Sequence, residues 1–192
     1  MQTKLLVVII GLVLNIFSFS AFADSNVGPS CLAENCLDKS SLSVKKILKS
    51  IGNVHPTEGD ISYYCYAING DGFFRIGVLK SEGVVVSMLL SKSEACLSQG
   101  KAKYKFSKFV TEKKIALGSS DKQVIAAYGN PVKILDANTA YKRWLSDDSG
   151  KYYHPEKLDE FWLYGPDTDP SLVRGIGMYQ GHVISILLQD SP

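Results

Sequence analysis

Gly118-Ser119-Ser120-Asp121-Lys122-Gln123-Val124-Ile125-Ala126-Ala127-Tyr128-Gly129-Asn130-Pro131 reads as one short helix with both ends written into it. Ser120 is a natural N-cap, and Gln123 three residues later completes a capping box. Val124, Ile125 and Tyr128 are expected on one face. Gly129 can take the left-handed conformation that closes a helix, and Pro131 forbids continuation. A similar sentence occurs earlier, where Ser43, Ile47, Leu48 and Gly52-Asn53 match Ser120, Val124, Ile125 and Gly129-Asn130. The strand-like segments downstream of the two copies are also alike. Gly83-Val84-Val85-Val86-Ser87-Met88-Leu89-Leu90 and Gly181-His182-Val183-Ile184-Ser185-Ile186-Leu187-Leu188 are identical at five of eight positions. The expected fold is therefore α+β: a tandem repeat of a helix followed by an antiparallel sheet, in two layers with the helices on one face.

Residues 1–23 read as a signal peptide. Lys4 precedes a nearly unbroken apolar run, and Ala21-Phe22-Ala23 is a small-x-small cleavage site. The run is short for a membrane span, which needs about 20 residues. No Cys follows Ala23 directly, so no stable membrane anchor is expected in the mature form. The expected location is periplasmic or secreted. An N-terminal arm (24–40), a first helix-sheet repeat (41–98), a Lys-rich linker (99–114) and a second repeat (115–192) complete the chain.

Without Lys4 the 21 basic residues fall to 20, against 19 acidic ones. That balance predicts neither nucleic acid nor an anionic membrane as partner. Four Cys in an exported chain suggest two disulfides with three possible pairings, of which Cys31–Cys36 and Cys65–Cys96 is favoured. No Cys-x2-Cys pair is present, and His55, His154 and His182 lack ligand spacing, so no metal is expected.

The first repeat is expected to hold a helix over 42–51, whose Val44, Ile47, Leu48 and Ile51 form one apolar stripe. Strands over 61–68, 73–80 and 84–90 come next, joined by a hairpin at Asn69-Gly70-Asp71-Gly72 and a turn at Ser81-Glu82-Gly83. Two-residue turns would place Cys65, Ile76 and Ser87 side by side on one face. Tyr64, Tyr66, Phe73, Arg75, Val86 and Met88 would then share the other. The linker alternates Lys and aromatic residues at Lys103-Tyr104-Lys105-Phe106 and reads as an edge strand or a basic docking patch. In the second repeat, 140–145 reads as a strand and 146–158 as a polar loop. Strands over 160–164, 172–179 and 182–189 complete the sheet. Trp162 and Tyr164 should share one face, Phe161 and Leu163 the other.

Little catalytic chemistry is legible. Ser43-Val44-Lys45-Lys46 and Ser119-Ser120-Asp121-Lys122 both spell Ser-x-x-Lys, the nucleophile pattern of penicillin-binding enzymes. No Lys-Thr-Gly or Ser-Asp-Asn accompanies them, and helix capping accounts for the serines. Asp147, Asp148, Asp159 and Glu160 offer carboxylates for acid–base work, and His154 sits beside Tyr152 and Tyr153. No Gly-rich phosphate loop is present. The expected catalytic residues, cofactors and metals are none.

Ile115-Ala116-Leu117-Gly118, the capped helix, Tyr128-Gly129-Asn130-Pro131 and strands ending in Gly181-His182-Val183 together resemble the SmpA/OmlA family, which includes the outer-membrane assembly component BamE. Two copies in one exported, disulfide-bearing chain resemble the architecture of β-lactamase inhibitory protein, where two such repeats form a concave surface that grips another protein. The resemblance implies a protein-binding module without catalysis, of inhibitor or immunity type. The alternatives are a cell-envelope assembly or maintenance factor, and a small hydrolase using the 147–160 insertion. The residue types enriched in interfaces single out Tyr64, Tyr66, Phe73, Arg75, Met88, Trp162 and Tyr164 as the binding face, with Asp71 and Asp167 adding acidic contacts at one edge. The competing reading buries these aromatics against the linker, the insertion or the other repeat.

Overall fold

The computed structural model describes residues 28–33, 35–37, 48, 59–68, 72–92, 100–101, 109–144, 157–165 and 172–190. Their elements are β1 (Cys31–Leu32), β2 (Asn35–Cys36), β3 (Ile61–Ile68), β4 (Gly72–Leu79), β5 (Val84–Ser91), β6 (Gly100–Lys101), α1 (Asp121–Tyr128), β7 (Lys133–Asp136), α2 (Ala137–Trp144), β8 (Glu160–Tyr164), β9 (Leu172–Tyr179) and β10 (His182–Asp190). β1 and β2 form a small hairpin. The others build one eight-stranded sheet in the order β6-β3-β4-β5-β10-β9-β8-β7. All its pairings are antiparallel except β3 with β6.

This architecture overturns the expected tandem helix-plus-sheet fold and, with it, the resemblance to the SmpA/OmlA family and to the β-lactamase inhibitory arrangement. The described chain is mainly antiparallel β, with two delimited helices of eight residues each. Those helices lie on opposite faces. α1 buries Val124 and Tyr128 in one core cluster, whereas Ala140 of α2 belongs to the other. The expected helix over 42–51 lies outside the described residues except for Leu48, which packs against the α1-side core. The physical reason is in β5 and β10. Their nearly continuous apolar runs, interrupted by Ser87 and Ser185, pair with each other from Ser185↔Ser91 to Gln189↔Ser87, and a strand apolar at nearly every position buries both of its faces. The two like segments thus end as neighbours at the centre of one sheet with a core on each side.

Cross-strand register lines the α1 face into rows. One row runs through Tyr66, Phe74, Leu90, Ile186, Ile176, Trp162 and Ile134, from β3 to β7. Its first six members are buried and Ile134 is not.

Local chemistry sets the helices. Ser120 is in extended conformation and its side chain accepts from the Gln123 N–H, while the Gln123 side chain accepts from the Ser120 N–H at 2.8 Å. The lead-in to α1 joins the start of β10 through Gly118 N–H to Val183 O (2.8 Å), Val183 N–H to Ser119 O (2.8 Å) and Asp121 N–H to Gly181 O (2.9 Å). Gly129, with φ 74°, lets the chain leave the helix, and its N–H donates to Ile125 O. Gln180 and Gly181 form the two-residue β9–β10 turn, with φ 48° and 72° and Tyr179 opposite His182.

The expected strand over 140–145 is instead part of α2. Asp136 caps that helix: its carboxylate accepts from the Thr139 N–H (3.0 Å) and Thr139 Oγ1–H (2.7 Å). The Thr139 hydroxyl, followed by its N–H, holds the Asp136 carboxyl below its ordinary value. A lowered folded pKa contributes stability that is fully present above the unfolded value, about 3.9. That contribution is lost as pH falls through the lowered one. Acid titration by NMR should therefore show the Thr139 amide moving with an apparent pKa below that of a free Asp. Asp136→Asn should remove this transition. A Thr139 amide that titrates at the ordinary Asp value would contradict the cap.

Cys31 and Cys36 are disulfide-bonded, as expected. Cys65 is also disulfide-bonded, and Cys96, its expected partner, lies outside the described residues. Residues 1–23, the expected signal peptide, lie outside them too. Among the described residues no helix is long and apolar enough to cross a membrane.

Candidate functional site

The expected binding face does not form a surface. Tyr66 and Met88 are fully buried, Tyr164 is nearly so, Trp162 is 7% exposed, and all four belong to the α1-side core. Burial pushes the hydroxyls of Tyr66 and Tyr164 above the usual tyrosine range. Tyr64 is half-buried against the same core. Phe73 and Arg75 lie on the opposite face, where Arg75 is buried with its guanidinium 4.6 Å from the centroid of the Tyr63 ring. Asp71 and Asp167 lie outside the described residues.

The split of that face has a simple cause. Ile68 pairs with Gly72, so three residues connect β3 to β4 where a two-residue turn was expected. Cys65 therefore sits opposite Arg75, not Ile76. A second one-residue shift falls at the irregularity between Gly77 and Val78, and each such shift sends a strand's side chains to the other face. Trp162 and Tyr164 do alternate with Phe161 and Leu163 as expected, but a core covers each side.

The carboxylates considered for acid–base work have structural partners where they are described. Asp159 Oδ2 accepts from the Gln180 N–H at 2.8 Å. Glu160 Oε2 accepts from Trp162 Nε1–H at 2.8 Å. Asp147, Asp148 and His154 lie outside the described residues. His182 is exposed, with Nδ1 2.9 Å from Gln180 O. Among the described residues no group of His, Cys, Asp and Glu is placed to hold a metal ion.

What the described surface does offer is apolar. Ile125, Val132 and Ile134 are its exposed large hydrophobic side chains, at 41%, 45% and 53%. They lie along one stretch of chain that leaves α1 and becomes β7. An eight-residue helix buries only a narrow i, i+4 stripe, here Val124 and Tyr128, which turns Ile125 outward, contrary to the sequence expectation. Tyr128 fixes the helix end. Its hydroxyl bonds Thr111 Oγ1 (2.7 Å) and Glu112 Oε1 (2.8 Å), and its ring lies 5.8 Å from that of Tyr164, whose hydroxyl donates to Gly129 O at 3.2 Å. Burial, more than any other influence, pushes the Tyr128 hydroxyl above its usual range. The Val132 N–H then donates to Leu163 O at 2.8 Å and starts the chain along β8.

β7 is the last of the described strands in the sheet and pairs with β8. Ile134 stands beside Trp162, and Lys133, exposed, beside Leu163. Lys113, Lys114 and Lys122 are exposed on and before α1, with Lys113 Nζ donating to Ala127 O at 2.7 Å. The nearby carboxylates are engaged: Glu112 by Tyr128 and by the Cys31 N–H, Asp136 by Thr139, and Glu160 by Trp162. This edge is apolar, with charged side chains of both signs around it. Sequence reasoning missed it because β7 is four residues long and lies between a proline and a helix.

No family model matches the chain, and no curated protein matches it. Among solved structures, a cysteine-rich secretory protein from Staphylococcus aureus is similar at 12% identity, with a TM-score of 0.41 over 86% of this chain. The match covers 47% of that structure, so this chain spans about half its length.

Proposed function

We propose that this chain is an exported module that binds another protein and performs no catalysis. The observation that carries the reading is that the exposed large hydrophobics among the described residues, Ile125, Val132 and Ile134, all fall on the one segment that runs from α1 into β7. Exposed apolar side chains collected in one place favour a contact surface, whereas scattered ones need no explanation. The near balance of charges argues against a nucleic-acid or anionic-membrane partner. Export is supported by the Cys31–Cys36 bridge and the bonded state of Cys65, since disulfides persist in oxidising compartments. It is also supported by the leader-like residues 1–23. The binding surface is therefore moved from the aromatic sheet face, which is core, to the sheet's edge.

The test is retention of an envelope or secreted protein by the immobilised mature chain, compared with an Ile125→Ser/Ile134→Thr variant. Both side chains are about half exposed, so the double change should alter stability by well under the cost of a core substitution, roughly 0.5 kcal/mol per site. The expected result is a specific co-purifying protein that the variant loses while its melting temperature holds. Equal retention by the variant, or no retained protein at all, would reject the reading.

A further inference from the structure

We propose that the Cys31–Cys36 bridge is a thiol–disulfide exchange site that latches α1. Two-electron reduction by a dithiol releases the N-terminal hairpin and loosens the C-terminal end of that helix. The latch stands on observations separate from the protein-binding reading. First, the bridge is open to attack. Cys31 faces Cys36 across β1 and β2, both are half-buried, and Ser30 Oγ lies 3.6 Å from Cys31 Sγ. Partly exposed disulfides are the ones a reductant reaches. Its thiolate attacks Cys36 Sγ, the S–S bond breaks, and the electron pair leaves on Cys31 Sγ, beside the Ser30 hydroxyl that donates to the new thiolate. The second thiol of the reductant then displaces Cys36 from the mixed disulfide. The dithiol ends as a disulfide, and its two electrons and two protons end on Cys31 and Cys36.

Second, the hairpin is tied to α1 through one hydroxyl. The Cys31 N–H donates to Glu112 Oε2 at 3.0 Å, and Glu112 Oε1 accepts from the Tyr128 hydroxyl at 2.8 Å. Leu32 pairs with Thr111, whose Oγ1 lies 2.7 Å from the same hydroxyl and accepts from the Ile115 N–H. Tyr128 is the last residue of α1, and Gly129 after it leads toward Val132 and Ile134. Leu32, Leu37 and Tyr128 also share one core cluster. Two strands of two residues do not hold a hairpin by themselves. Opening the bridge therefore removes the constraint that keeps Cys31 on Glu112, and the Tyr128 hydroxyl loses the fixed position of its acceptor.

The probe is dithiothreitol, added to the mature protein at concentrations that leave Cys65 bonded. Alkylation should find two thiols, at Cys31 and Cys36. Amide hydrogen exchange should then quicken about thirty-fold at Ala33, Ile115 and Gly129, whose N–H groups donate to Val110 O, Thr111 Oγ1 and Ile125 O. The amides of β5 and β10 should keep their rates. Cys31→Ser/Cys36→Ser should show the same pattern without reductant. In Tyr128→Phe, which removes the shared hydroxyl, reduction should still quicken Ala33 and no longer reach Gly129. A bridge that resists reduction while the sheet is folded, equal quickening in β5 and β10, or a Gly129 amide indifferent to reduction would overturn the latch. A Tyr128→Phe protein that still passes the change to Gly129 would overturn it too. The serine pair decides the matter even if Tyr128→Phe fails to fold, since unchanged exchange at Gly129 in that variant also rejects the latch.

Discussion

Tyr66→Ala and Trp162→Ala are each expected to destabilise the protein by about 3–5 kcal/mol, the usual cost of truncating a buried aromatic. Tyr66 is fully buried in the core cluster that also holds Phe74, Tyr128 and Trp162. Its replacement opens a cavity between β3 and the elements above the sheet, and the neighbouring strands cannot collapse to fill it without breaking register. Trp162 adds a polar loss, because its Nε1–H donates to Glu160. Set against a whole-domain stability of roughly 5–15 kcal/mol, either change should lower the urea midpoint markedly, and the two together should leave little folded protein at room temperature. Circular dichroism during urea unfolding measures this directly. A loss under about 1 kcal/mol for either variant, as expected of exposed positions, would mean that its side chain is at the surface and that this sheet face is open.

The expectation that these residues form a binding face came from residue type. Tyr, Trp, Arg and Met mark interfaces, yet large aromatics dominate cores for the same reason, their apolar area. The deciding signal was nevertheless in the sequence. Val84 to Leu90 and Val183 to Leu188 are interrupted only by Ser87 and Ser185, and strands of that kind are covered on both faces. Assuming that one face of a two-layer domain stays open hid what those runs said.

Other parts were readable because their causes are local. The capping box of α1 needs only Ser120 and Gln123, and the tight β9–β10 turn needs only Gln180 and Gly181. Facing was not readable in the β3–β5 meander. It depends on a three-residue connection after Ile68 and on a shift near Gly77, neither of which has a composition of its own. A matching shift falls between Val183 and Ser185. α2 was misread because Tyr141 and Trp144 suit a strand, whereas the deciding residue, Asp136, lies just before the segment and acts through Thr139. At the candidate edge, Ile134 carries no mark in sequence that separates it from a core isoleucine. Its exposure comes from β7 being last among the described strands of the sheet.

The bridge at Cys65 is expected to matter more than the one between Cys31 and Cys36. A disulfide stabilises mainly by restricting the unfolded chain, and the effect grows with the loop it closes. Cys31 and Cys36 lie five positions apart, which corresponds to about 2 kcal/mol on the chain-entropy model. With Cys96 as the expected partner, Cys65 closes a loop of roughly thirty residues, worth about 3–4 kcal/mol. Cys65 is also buried, opposite Arg75 on the sheet face away from α1, whereas Cys31 and Cys36 are half-buried in a hairpin at the surface. Thiolate attack needs access, so the two bridges should open in order. Under a limiting reductant the native protein should first gain two alkylatable thiols at Cys31 and Cys36. The Cys65 thiol should become reactive only when urea unfolds the sheet. Mass spectrometry after alkylation reads the order, and urea melts of Cys65→Ala and Cys31→Ala read the costs. The short bridge does anchor a working contact, since the Cys31 N–H donates to Glu112 and the Ala33 N–H to Val110 O. Its loss should therefore loosen the hairpin and the Tyr128 cluster before it weakens the sheet. A Cys31→Ala variant less stable than Cys65→Ala, or a Cys65 thiol that is labelled first, would show that the N-terminal hairpin, and not the sheet, is the part of the fold that its disulfide secures most.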